Sequence, residues 1–470
     1  RVSMITSASA DNLRAAVLAR FVVHATPADL PAAIRDKAVR HILDTLACGI
    51  AGAASREAQA CLALVEASEE PGPAAAWGTD RRLSARSAAL VNGIACHAFE
   101  LDDTGGCDHS GAVVVPAAMA TVAMSERPIS GDEFILAVTL GYDVARRVLE
   151  ACGGYEPHNN AGWHSTATCG TFGAAVAAGR LMQLDTTRMG YALGHAASFS
   201  GGLWAFIHDG SQTKRVHAGR AAEAGLLAAM LARAGVTGPS AIFENRWGGF
   251  LATFASASAQ PEALTIGLGE RWRMERVSLK PYASCRGTHS SIDALGLLLD
   301  ENGLGRDDVE RIEVRLSRFL LDMCGGRTVD TLPEAQMSLP YALAARLVLG
   351  HAGLDAYRAA HRADPALRAA MERVALIVDE ALPAADEPFV RISTRDGYSF
   401  ETRVTSPLGS PAKPVGEAAY FDKMRGLCGM ALAAPAVERL VAGVLDLWGD
   451  PDMRWLGEAL GAPRQPPVFE

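Results

Sequence analysis

The chain has 470 residues and a mass of 49.4 kDa, enough for two large domains or three ordinary ones, and for a sizeable core without disulfides or metals. With 49% hydrophobic and 21% charged residues, it has the balance of a soluble globular protein, not of a disordered or collagen-like chain. The net charge of −9 argues against a general nucleic-acid binder, which needs a basic face.

Between residues 30 and 260 the apolar residues recur at helical spacing. In 30–52 they are Ile34, Ala38, Ile42 and Leu46, with Asp29 as the expected N-cap and Pro31 in the first turn. Ser84 is expected to cap a helix through 85–103. Phe134, Ile135, Val138, Leu140, Val144 and Val148 predict a helix over 131–151. Further helices are expected at 112–125, 166–183, 186–198 and 214–234. Near residue 270 the period changes. Residues 311–316 alternate apolar and charged side chains, and Val374, Leu376 and Val378 recur at every second position, so both stretches read as strands. Residues 388–394 and 398–405 flank Asp396-Gly397, a hairpin turn signal. Helices at 288–300 and 333–349 lie between these strands. Helical periodicity returns over 415–461. The expected fold is mainly α: a large helical domain built from 1–267 plus 406–470, with a smaller α+β lid domain, 268–405, inserted.

The nine cysteines are odd in number and none forms a Cys-x-x-Cys pair. That excludes a zinc ribbon, speaks against a disulfide framework and fits a reducing cytoplasm. No secretory leader is legible at the N-terminus. The longest uncharged stretches, 157–179 and 189–207, are interrupted by Gly, His, Asn or Ser and read as buried helices, not membrane spans. Lysine occurs only at Lys37, Lys214, Lys280, Lys413 and Lys423. Against an arginine-rich background a retained lysine is notable, because its compact amine has a tunable pKa.

Five segments could carry chemistry. His97-Ala-Phe-Glu-Leu-Asp-Asp-Thr104 closes a predicted helix and leads into His109. Glu100, Asp102 and Asp103 crowd a helix end where negative charge is unfavourable, so they demand a cationic partner. Gly162-Trp-His164 precedes a small-residue helix; alone, such a histidine is more often a core residue with one hydrogen bond. Lys214 opens a helix beside arginines, with His217 one turn on, which calls for an anion at that end. Lys280-Pro-Tyr-Ala-Ser-Cys285-Arg286-Gly-Thr-His289 enters the α+β region. Ser338-Leu-Pro-Tyr341 enters another helix, where a cap and a core aromatic are the simpler reading. No dinucleotide fingerprint, Walker loop, nucleophile elbow or His-Glu-x-x-His motif is present. Acids, histidines and scattered cations suit proton transfer on a small anionic substrate.

Taken in order, these segments resemble the MmgE/PrpD family. So do Ile42-Leu-Asp-Thr-Leu-Ala-Cys-Gly-Ile-Ala-Gly52 and His109-Ser-Gly-Ala-Val-Val-Val-Pro116. The family includes 2-methylcitrate dehydratase, cis-aconitate decarboxylase and iminodisuccinate epimerase. The resemblance implies a helical domain with an α+β lid, a homodimer, and no metal or organic cofactor. It also implies catalytic roles for His164, His109, Lys214, Glu100 and Asp103, and substrate contacts from Thr104, Lys280, Arg286, Cys285 and Tyr341. Glu100 stands where the family often has aspartate. Cys285 and Leu321 stand where the decarboxylase has a lid histidine and tyrosine, which points away from decarboxylation. The expected activity is a cofactor-independent hydro-lyase on a small di- or tricarboxylate, with a dicarboxylate epimerase as the alternative. A decarboxylase or a metal-dependent hydrolase ranks lower. No nucleic acid or membrane partner is expected.

Overall fold

A computed structural model describes residues 12–244 and 246–469. Residues 1–11, on which the absence of a leader was read, lie outside the described residues. The fold is mainly α, and among the described residues no helix is long and apolar enough to cross a membrane. The predicted helices occur at Ala32–Gly52, Ala85–His97, Gly111–Ala123, Gly131–Ala151, Gly170–Leu181, Thr186–Phe199 and Thr213–Arg233. Ser84 caps the second of these by accepting from Ser87 N at 3.3 Å. Asp29 does not cap the first. It closes the 3-10 turn Pro27–Asp29, where its carboxylate takes the Thr26 N–H, and Pro31 precedes the helix instead.

Two glycines decide where the site forms. A Cβ on Gly93 would lie 2.6 Å from Gly219 Cα, and one on Gly219 would lie 2.1 Å from Leu90 O. Only hydrogen fits there, so Ala85–His97 and Thr213–Arg233 cross with their backbones touching. This close approach brings the start of one helix to the end of the other.

The four-stranded sheet has the order β4-β3-β5-β6, with β3 Val309–Leu316, β4 Val374–Val378, β5 Phe389–Thr394 and β6 Ser399–Thr402. β3 and β4 run parallel, whereas β5 is antiparallel to β3 and to β6. The β5–β6 turn holds Gly397 at φ 92°, as the Asp-Gly signal requires. A two-residue ladder, β1 Ala74–Ala75 with β2 Arg82–Leu83, is too short to show as alternation. Helix His289–Asn302 packs on β5 and against Leu339–Leu349.

The last helices, Glu417–Cys428, Ala434–Leu445 and Arg454–Ala459, return to the first part of the chain. Lys423 Nζ donates to Asp44 Oδ1 at 2.5 Å, Tyr420 OH to Arg40 O at 2.9 Å, and Phe469 N to Ala54 O at 2.9 Å.

Candidate active site

The helix Ala85–His97 stops six residues earlier than its periodicity suggests. Glu100 sits in the left-handed region at φ 52°, a conformation uncommon for glutamate. The turn therefore replaces the end of the predicted helix with a loop of buried acids. Two tertiary contacts hold it. Thr104 and Ser278 exchange backbone hydrogen bonds of 3.1 and 2.7 Å, which draws Lys280 beside the turn. Glu100 then receives Lys214 Nζ on one carboxylate oxygen and Lys280 Nζ, at 3.2 Å, on the other. Arg215 lies 3.8 Å away. The anion demanded by the Lys214 helix start is thus the chain's own Glu100. Burial opposes its charge, but Lys214, Lys280, His97 and Arg215 outweigh it and hold the carboxyl well below its usual range.

Asp102 is the second focus. His97 Nδ1 lies 3.0 Å from Asp102 Oδ1, and His109 Nδ1 lies 3.2 Å from Oδ2. The two rings sit 4.2 Å apart. His109 Nδ1 also reaches Asp103 O at 2.9 Å, and its Nε2 lies 3.4 Å from Asp108 Oδ2. Burial disfavours a charged His109, yet Asp108 and Asp102 more than compensate and raise it to about 9. His97 goes the other way: burial outweighs Asp102 and lowers it to about 4. A neutral His97 that donates through Nδ1 to Asp102 presents a basic Nε2.

His164 Nδ1 meets His217 Nδ1 at 3.0 Å, so one ring donates and the other accepts. Trp204 and Phe206 meet the His164 ring edge to face at 5.4 and 5.7 Å. Burial, then His217 and Lys214, push His164 well below the ordinary histidine value; burial lowers His217 to about 4. Both rings are neutral at pH 7. His164 Nε2 and His97 Nε2 are buried and make no hydrogen bond, which in a protein interior calls for an explanation. A cavity of about 210 Å³ meets this cluster at Phe206, Arg215 and Met337, with Met337 Sδ 3.9 Å from Lys214 Nζ.

The structure gathers His164, His109, Lys214, Glu100, Thr104 and Lys280 as expected, and Cys285 adjoins them. Thr104 gives its hydroxyl to Asp108 Oδ1 at 2.9 Å. Three of the expected site residues lie elsewhere. Asp103 points the other way, taking Tyr142 OH at 2.5 Å and Gly111 N at 3.0 Å; it anchors the next helix. Arg286 is partly exposed and pairs with Glu387 at 2.7 Å. Tyr341 is buried against Tyr357 and donates to Ala356 O at 2.7 Å, while Ser338 caps its helix. Arg215 and Gln336 were not singled out, and His97, Asp102 and His217 were named within their segments but not among the expected site residues. The i,i+3 spacing of Lys214 and His217 was the available signal for one of them. Gln336 had none, although it bridges Phe99 O and Arg215 at 2.8 and 2.7 Å.

His97, Asp102 and His109 offer ligand atoms within 4.8 Å of one another and could in principle hold a cation. The electrostatics oppose it: two imidazoles already share Asp102, and two lysines and an arginine stand within the same cluster.

A pH test follows from His109. Its folded pKa of about 9 exceeds the ordinary 6.5, so its stabilisation is complete below pH 6.5 and is lost as pH rises through 9. That is worth about 3 kcal/mol. His97 and His217, lowered to about 4, have the opposite sign: their contribution is present above pH 6.5 and lost as pH falls through 4. His109→Gln should depress the melting temperature strongly at pH 6 and weakly at pH 9.5. Equal losses at both would contradict the assignment.

A mainly helical fold with a buried cluster of acids, imidazoles and lysines and no nucleophile elbow defines a class of acid–base site. The comparisons agree. Residues 16–262 match the MmgE/PrpD N-terminal domain and residues 282–447 the MmgE/PrpD C-terminal domain, so the chain belongs to the MmgE/PrpD family. It is 28% identical over 469 residues to a cis-aconitate decarboxylase-like protein of Aspergillus oryzae, covering 94% of this chain and 96% of that one. It is 29% identical over 470 residues to the cis-aconitate decarboxylase of Aspergillus terreus, covering 94% of each. With the human cis-aconitate decarboxylase it shares 27% identity over 443 residues, 91% of this chain and 90% of that one.

Proposed function

We propose that this protein is a cofactor-independent lyase that moves a proton at the carbon beside a carboxylate of a small di- or tricarboxylate. One observation carries this reading: a neutral, unpartnered imidazole nitrogen, His164 Nε2, lies in the same buried cluster as a two-lysine cradle. Among the described residues Glu100 is the one carboxylate paired with Lys214 and Lys280, so a substrate carboxylate can share them. Negative charge developing on that carboxylate is stabilised by the same ammonium groups. His164 is the base. His109, an imidazolium at neutral pH, supplies positive charge and a proton, with Asp102 and Asp108 as its counter-charges. His97, oriented by Asp102, is a second base. In this reading residues 268–405 form a lid on a helical body built from both chain ends, and the protein acts as a homodimer.

Loss or addition of water is the leading reaction. A second reading, decarboxylation, is favoured by the names of the relatives. Against it stand Cys285 and Leu321 in place of the family decarboxylase's histidine and tyrosine. Proton NMR in deuterated buffer, with hydroxy-tricarboxylates and cis-aconitate, separates the two. Alkene formation or hydration with solvent exchange supports the first, and carbon dioxide release supports the second. Exchange with inversion and no alkene would instead reveal an epimerase. No turnover and no exchange across the panel defeats the lyase reading. A ligand at a hundred times its Kd adds about 2.7 kcal/mol of apparent stability, so a thermal-shift screen selects the panel.

A further inference from the structure

A second buried cluster, made of two cysteines and a histidine, takes no part in the acid–base site. Cys152 closes helix Gly131–Ala151. Gly153 and Gly154, at φ 94° and 97°, then turn the chain into helix Tyr155–Asn160, which carries His158. Cys169 lies at the junction of helices Ser165–Thr168 and Gly170–Leu181. A ring nitrogen of His158 and the sulfurs of Cys152 and Cys169 all lie within 4.8 Å of one another. All three residues are buried, and both cysteines are free thiols. Their spacing, Cys-x5-His-x10-Cys, is not the short-spaced pattern of a zinc finger, so only the fold brings them together.

The hydrogen bonds prepare the imidazole as a ligand. His158 Nε2 lies 2.7 Å from Thr168 Oγ1. Whether the Thr168 hydroxyl proton goes to His164 O, at 3.4 Å, or to Cys169 Sγ, at 3.7 Å, the oxygen is left to accept from Nε2. Nδ1 then keeps a lone pair. It is buried and, among the described residues, has no hydrogen-bond partner, which is costly in a protein interior. Metal-binding histidines show this pattern: a fixed acceptor holds one ring N–H, sets the tautomer and aims the other nitrogen.

The donor set selects the ion. Sulfur and imidazole donors do not suit magnesium or calcium, which take oxygen. Two thiolates and a neutral imidazole balance a divalent ion, whereas a monovalent one would leave a negative charge buried. Zinc holds sulfur at ~2.3 Å and nitrogen at ~2.1 Å, so its ligands stand roughly 3.5–4 Å apart, and side-chain rotations of about 1 Å supply the difference.

We propose that Cys152, His158 and Cys169 form a zinc(II) site separate from the acid–base cluster. Binding replaces the two thiol protons, which pass to solvent, and nothing is oxidised or reduced. The ion ties the end of one core helix to the start of another, on either side of His164, so it braces the segment that presents this imidazole. The site does not depend on which reaction the protein catalyses.

Metal content of the full-length protein tests the assignment without any substrate. The protein is expressed with zinc and copper in the medium, desalted, and analysed by inductively coupled plasma mass spectrometry. Wild type should carry about one zinc per chain, and Cys152→Ala and Cys169→Ala less than about a tenth of that. Cys61→Ala, which changes a partly exposed cysteine outside the cluster, should keep its zinc. Zinc-loaded wild type should melt several degrees above the chelator-stripped protein. Should either variant misfold, wild type grown on cobalt(II) decides. Sulfur ligation gives a charge-transfer band in the near ultraviolet and strong visible bands of a tetrahedral site. Wild type with less than about a tenth of a zinc per chain overturns the proposal, as does copper in its place. Zinc retained by both Cys→Ala variants, or cobalt bound without a sulfur charge-transfer band, also overturns it.

Discussion

His164→Gln should lower kcat by about two to four orders of magnitude, the usual contribution of a positioned general base. Glutamine keeps much of the side-chain volume and can still hydrogen-bond His217, 3.0 Å from the native ring. It has no basic nitrogen, however, and cannot take the substrate proton. The fold should tolerate the change, because Trp204 and Phe206 still pack on one side and Gly202 O still accepts the residue-164 N–H, now at 3.1 Å. KM should change little, since the carboxylate is held by Lys214 and Lys280. Circular dichroism and steady-state kinetics on the same preparation are the measurements. A variant that keeps more than a tenth of wild-type kcat rules His164 out as the base.

Removing Glu100 should hurt the fold more than any single imidazole. Glu100→Ala leaves Lys214, Lys280 and Arg215 buried together without their shared carboxylate. Breaking a buried ion pair from one side costs about 3–5 kcal/mol, because a desolvated charge is left uncompensated. The melting temperature at pH 7 should fall by many degrees. Citrate or another polycarboxylate should then restore more stability to the variant than it adds to wild type, since its carboxylate replaces the lost one. Glu100→Asp should fall between the two: the charge remains, but the shorter arm cannot serve both lysines equally. A Glu100→Ala protein that melts within a degree or two of wild type would show that the cradle is solvated or otherwise balanced.

Local signals were read correctly at most places where the structure is local, the Asp29 cap being the exception. Helix Gly131–Ala151 follows its apolar period from end to end. The Asp396-Gly397 hairpin forms where a positive φ was required. The failures share a cause. The helix predicted through residue 103 stops at His97, and the helix predicted over 166–183 breaks at Cys169. The one predicted over 333–349 is interrupted at Met337-Ser338. Each break falls next to the cluster, where distant partners outbid the helical hydrogen bonds.

The amino-acid sequence by itself determined the mainly helical class, the change of period near residue 270, and the families of charge that had to find partners. Periodicity, caps and turn chemistry act over a few residues, so they can be read in one dimension. Tertiary structure alone decided which partners met. Glu100 takes Lys214 from 114 residues away and Lys280 from 180 residues away, and His164 finds His217 across 53. It also turned Asp103 toward Tyr142, Arg286 toward Glu387 and Tyr341 into the core. A charge in a sequence states that a counter-charge is needed; only the packing of helices at contacts such as Gly93 with Gly219 chooses which one can reach it.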